Sequence, residues 1–110
     1  MVLHNADSAF IEPAKVRDYL LSTTHPVGRF KAHFFVALGY RADRWEILRD
    51  HFLEIARKGI ATPGRPSLFG AKFEVDGILI TPVGRSASVK TVWMFRPGDI
   101  SPRFVTAFPR

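Results

Sequence analysis

The spacing of apolar residues changes once along this chain, and that change limits what the chain can fold into. Up to Gly59 apolar residues recur at helical intervals, and from Phe69 onward they alternate. Trp45, Leu48, Phe52, Ile55 and Ala56 fall on one face of a helix, while Arg44, Arg49, Asp50 and Glu54 fall on the other. Phe69, Ala71, Phe73 and Val75 interleave with Gly70, Lys72, Glu74 and Asp76, the period of a half-buried strand. Segregated elements joined by short turns pack as α+β, because parallel crossovers require strands and helices to alternate. The expected architecture is three N-terminal helices packed on a C-terminal antiparallel β-meander.

Local signals place the elements. Residues 1–12 show no periodicity and are expected as a tail, tacked by Phe10 and Ile11 to a single domain over 13–110. A first helix is expected over 13–22, with Pro13 in its first turn and Val16, Tyr19 and Leu20 as its stripe. A second spans 27–38. Phe30, Phe34, Ala37 and Leu38 form its apolar face and Gly39 stops it. A third spans 43–58, where Asp43 and Glu46 have capping-box spacing and Gly59 ends the run. Ala61–Ser67 carries two prolines and a glycine and reads as a connector. The meander occupies 69–108, with Asp76-Gly77 as a bulge or tight turn, a long strand from Ser86 to Phe95, and a last strand from Arg103 to Phe108.

Composition narrows the function classes. The chain has no cysteine, so disulfide frameworks, thiolate catalysis and cysteine zinc sites are excluded. His4, His25, His33 and His51 show no metal-ligand spacing with a carboxylate, so neither metal nor other cofactor is expected. No leader and no apolar run of about eighteen residues is present, so a soluble domain without membrane contact is expected. The net charge is +6, and it is uneven: residues 1–56 hold seven Lys/Arg against seven Asp/Glu, residues 57–110 nine against three. The excess lies in the part read as sheet, which attracts phosphate backbones or an acidic partner.

Candidate chemistry centres on Thr24–Gly39. Pro26 holds His25 in extended geometry just outside a helix start, a position that attracts anions, with Arg29 and Lys31 about a turn away. The same residues also suit a capping histidine on a solvated basic flank. In the strands, Lys72, Lys90, Thr91, Arg103 and Thr106 are candidates, with Arg85 at the rim. Alternation makes Lys90 and Thr91 point oppositely, and likewise Arg103 and Thr106. Thr91, in a row with Val89 and Trp93, also suits a hydrogen-bonded core position.

The blocks Leu20-Leu21-Ser22, His25 to Ala32, Phe35, Leu38-Gly39, Pro82 to Arg85, Val89 to Trp93 and Pro102 to Ala107 together resemble an uncharacterised bacterial domain family. That family occurs as short stand-alone proteins and as the last module of large secreted polymorphic toxins. Its architecture is similar to that of barnase-, colicin- and RelE-type ribonucleases. The resemblance implies a metal-independent endoribonuclease toxin that uses the 2′-hydroxyl of its RNA substrate, a tRNA or an mRNA. It also implies action in the cytoplasm and restraint by an acidic antitoxin or immunity protein. His25, Lys31, Arg103 and Thr106 are then the catalytic candidates, with Arg85, Lys90 and Thr91 holding phosphate and no cofactor required. Unlike better-known members of that group, the strands hold no glutamate–histidine pair, since Glu74 has no strand histidine. The other reading is a non-enzymatic basic module that docks nucleic acid or an acidic protein.

Overall fold

Four antiparallel strands form a meander in the computed structural model, which describes residues 1–110. They are Ala61–Pro63 (β1), Ala71–Ile80 (β2), Ser86–Phe95 (β3) and Arg103–Pro109 (β4), neighbours in chain order. Pro13–Lys15 (α1), Arg29–Ala37 (α2) and Trp45–Lys58 (α3) precede them. Helix α3 packs on β2 and β3, whereas α1 and α2 lie against the edge strand β4.

This arrangement corrects the expected three N-terminal helices on a C-terminal meander. The helices sit in the middle of the chain, between a packed N-terminal segment and a four-stranded sheet that already begins at Ala61. Leu3, Ala6 and Ile11 are buried in the common core. Val2 bridges Ile60 on the β1 side, while Phe10 bridges Arg103 at the start of β4. The Phe10 N–H donates to Pro102 O at 3.1 Å and the Phe104 N–H to Phe10 O at 3.0 Å, so part of the β4 edge is satisfied by this segment. The stretch read as a connector supplies β1, pairing Ala61 with Val75 and Pro63 with Phe73. Proline is tolerated there because an edge strand needs no further donor outward.

Each helix departs from its pattern for a local reason. After Lys15 the chain widens into a π-helical turn over Val16–Leu20, with the Leu21 N–H reaching Val16 O at 2.9 Å. That widening buries Leu21 together with Val16 and Leu20 and turns Tyr19 partly outward, away from the expected stripe. Helix α2 buries Ala32 and Phe35 and leaves Phe30 70 % exposed, so its core face lies to one side of the expected Phe30–Ala37 row. It ends in a Schellman motif: Gly39 takes φ +96°, its N–H donates to Val36 O, and the Tyr40 N–H donates to Phe35 O. The capping box before α3 does not form. Arg41 holds the Asp43 carboxylate at 2.8–2.9 Å, and a 3-10 turn over Ala42–Arg44 leads into the helix instead.

Strand β2 runs through Asp76-Gly77 without bulge or turn, pairing Asp76 with Lys90 and Gly77 with Val89. Gly77 is where α3 presses on the sheet, since a Cβ there would strike the Ile55 side chain. The bulge is elsewhere. Trp93 pairs with Phe104 and Val92 with Thr106, so Val105 is the extra residue on β4. Phe52 stacks on Phe104 at 5.1 Å, and the edges of Trp93 and Phe35 complete an aromatic core centred on those two rings. Buried side chains of this size contribute roughly 1.5–3 kcal/mol each by transfer from water.

Candidate functional site

Three of the expected site residues come together at the β4 edge. Pro26 keeps His25 out of the helix, and the His25 ring folds back so that Nδ1 accepts the N–H groups of Val27 at 3.0 Å and Gly28 at 2.9 Å. Two donors aimed at Nδ1 require its lone pair, so the ring proton resides on Nε2. The ring meets Tyr19 edge-on at 5.1 Å. In the first turn of α2, Lys31 extends toward β4, where Nζ donates to Thr106 Oγ1 at 2.9 Å. The ammonium also lies 4.0 Å from the Phe108 ring centroid and 5.5 Å from that of Tyr19. These side chains enclose a cavity of about 480 Å³ lined by Ala14, Lys15, Tyr19, His25, Lys31, Val105 and Thr106.

Electrostatically the cavity is one-sided. Lys15 and Lys31 have no carboxylate partner, and none of the lining residues is acidic. Lys31 is held by a hydroxyl and two π faces, contacts that orient an ammonium without neutralising it. The lining thus brings together two cations, an imidazole and the Tyr19 and Thr106 hydroxyls, a set of groups that suits an anion.

The remaining candidates lie elsewhere. Thr91 is fully buried; its hydroxyl donates to Val75 O and accepts from Trp93 Nε1, both at 2.8 Å, which is the core position its row suggested. Lys90 is ion-paired with Glu74 at 3.3 Å. The Arg103 guanidinium lies over Phe10 and bridges Asp99 at 3.2 Å and Glu12 at 3.4 Å, tying β4 to the N-terminal segment. Arg85 stands exposed in the β2–β3 turn, roughly 20 Å along the strands from Thr106. The strict alternation expected for β4 fails at its bulge. With Val105 extra, Arg103 and Thr106 share the face opposite α3, in rows with Lys72–Met94 and Glu74–Val92. Lys15 and Tyr19 are the cavity residues that sequence reasoning missed. Their four-residue spacing was visible, but Tyr19 read as part of a buried stripe.

No group of three or more His, Cys, Asp or Glu side chains that could hold a metal ion occurs, and no helix is long and apolar enough to cross a membrane. Burial pushes the Tyr40 phenol up to about 12, so it keeps its proton beside His51 Nδ1 at 2.8 Å, away from the cavity.

Among solved structures, a chain of the contact-dependent growth inhibition toxin–immunity protein complex from Klebsiella pneumoniae 342 shares this fold. The TM-score is 0.72 at 22 % identity, over 96 % of this chain and 97 % of that chain. No curated protein matches the sequence. Residues 2–110 match a family described as a domain of unknown function, and the chain belongs to that family, DUF6883.

Proposed function

We propose that this domain is a toxin-type effector that cleaves RNA through the substrate's own 2′-hydroxyl, with the scissile phosphate held in the cavity at the β4 edge. The observation that supports the reading is the acid-free lining: Lys15, His25 and Lys31 border one cavity, and no carboxylate among its lining residues would repel a phosphate. In such a reaction the 2′-hydroxyl gives its proton to solvent as its oxygen bonds to phosphorus, the bond to the 5′-oxygen breaks and that oxygen takes up a proton from solvent, and negative charge builds on the non-bridging oxygens. Preformed cations and N–H donors aimed at those oxygens lower the barrier. Lys31 supplies the charge, Thr106 fixes its direction, and Phe108 flanks it. The likeness of the fold to a chain from a toxin–immunity complex and the net charge of +6 support the same reading.

One observation favours the second reading, a non-enzymatic module that docks nucleic acid or an acidic partner. A general base needs a free lone pair, and His25 Nδ1 is committed to two backbone N–H groups. Incubating the purified protein with total RNA separates the two. Cleavage that disappears in Lys31→Ala supports the effector reading; intact RNA that is nevertheless retained, with retention lost in Lys31→Ala, supports the docking module.

A further inference from the structure

The turn between β1 and β2 displays two large apolar side chains with no intramolecular role. Leu68 is 97 % exposed and Phe69 76 % exposed. Scattered single apolar residues on a surface need no explanation, but here two adjacent ones stand on a built platform. The Gly64 N–H donates to Lys72 O at 2.8 Å, and Ser67 bridges Gly70 while its hydroxyl accepts the Phe69 N–H at 3.1 Å. Gly70 in turn packs against the backbone of Phe95 and Arg96. The two side chains are therefore held out on an ordered turn, and little ordering entropy remains to be lost when something covers them.

The surroundings specify the chemistry of what covers them. Beside the turn lies a concavity of about 380 Å³ whose lining includes Arg65 and Lys72. Residues 61–73 contain no carboxylate, and neither Arg65, Lys72 nor the adjacent Arg96 has an ion-pair partner. Apolar side chains at the centre with cations at the rim are the layout of a protein-binding patch whose partner carries negative charge around an apolar socket. A nucleic acid would use the three cations and could stack on Phe69, but it offers no socket for Leu68. The position is also informative. This turn joins the first two strands of the sheet, whereas the cavity opens at the fourth, about 14 Å away across the strands.

We infer that the β1–β2 turn is a docking surface for an acidic protein, with Leu68 and Phe69 as anchors and Arg65, Lys72 and Arg96 as a steering rim, separate from the cavity. The inference does not rest on RNA cleavage. To test it, Phe69→p-benzoylphenylalanine is photo-crosslinked in the cell of origin, with the exposed Phe30→p-benzoylphenylalanine as control, and the protein captured at position 69 alone is purified and titrated against the full chain. The expected result is an acidic protein whose affinity falls roughly thirty-fold or more in the double variant Leu68→Ser/Phe69→Ser. In Arg65→Glu the loss should appear mainly as slower, salt-dependent association. Capture of RNA, of a second copy, or of nothing at position 69 overturns the proposal. So does a captured protein whose affinity is unchanged in the double variant or depends instead on Lys31. Melting temperature of the double variant guards the comparison, since both side chains are exposed and the fold should be unaffected.

Discussion

Two cationic regions of this molecule differ in one respect, and that difference separates surface charge from a site. The sheet face opposite α3 carries Lys72, Lys90 and Arg103, with Arg110 at its margin, and all but Lys72 are matched: Lys90 by Glu74, Arg103 by Asp99 and Glu12, Arg110 by Asp76. The cavity at the β4 edge holds fewer cations, Lys15 and Lys31, and no carboxylate among its lining residues. Paired charges on a half-exposed surface contribute little net potential, because each anion screens its neighbour before solvent does. An unpaired ammonium fixed by a hydroxyl and aromatic rings keeps its field for a ligand. Net charge therefore says how much cation a region carries, and pairing says how much of it is left for a ligand.

Lys31 is where that comparison breaks most visibly. Lys31→Ala should lower RNA cleavage by roughly 10²–10³-fold, the range for removing one preorganised group that stabilises developing charge. Lys90→Ala on the sheet face should change it by less than about threefold, because Lys90 already belongs to Glu74. Both variants are assayed on total RNA together with their melting curves. Equal losses in the two would mean that the whole basic surface, and not the cavity, binds substrate.

How much of this was legible in the sequence depends on the range of the signal. Periodicity located α3, β3 and β4 closely, because a long amphipathic run leaves one way to bury its apolar residues. It failed for β1, where only pairing with Val75 and Glu74 makes an extended strand of Ala61–Pro63. It failed again at α1, where burying Leu21 beside Leu20 widened the turn. Within the site, the Pro26 rule placed His25 at the helix mouth and the spacing of α2 placed Lys31 nearby. Thr106 joined them only because Val105 is a bulge, and a bulge depends on a neighbouring strand that no local pattern encodes.

The opposite case is Thr91, a strand candidate that the core has absorbed. Its hydroxyl is both donor to Val75 O and acceptor for Trp93 Nε1. Thr91→Val keeps the shape and strands both partners, so the domain should lose about 1–3 kcal/mol of stability, read by urea unfolding. RNA cleavage below the melting transition should not change. A variant of full stability but lower cleavage would move Thr91 from the core into the site.

His25 sharpens the comparison further, because its ring has one nitrogen for the fold and one for the cavity. His25→Ala removes the acceptor for the Val27 and Gly28 N–H groups and should cost about 1 kcal/mol, as the loss of a helix cap does. His25→Asn restores a side-chain acceptor at the same helix mouth without the Nε2–H. Stability should therefore recover in His25→Asn while cleavage stays depressed. Recovery of both would make His25 a cap and nothing more.

The smallest effect tests the quiet side of the comparison. Glu74→Gln releases Lys90 from its ion pair on the sheet face without altering the length of the side chain at position 74. The pair is partly exposed, so stability should fall by no more than about 1 kcal/mol. The informative quantity is the salt dependence of RNA retention, where each phosphate neutralised on a single strand adds roughly 0.7 to the logarithmic slope. If substrate contacts only the cavity, the freed lysine finds no phosphate and the slope stays at its wild-type value. A slope steeper by one such increment would show that the strand runs from the cavity across the sheet face, and that Glu74 normally holds Lys90 back from it.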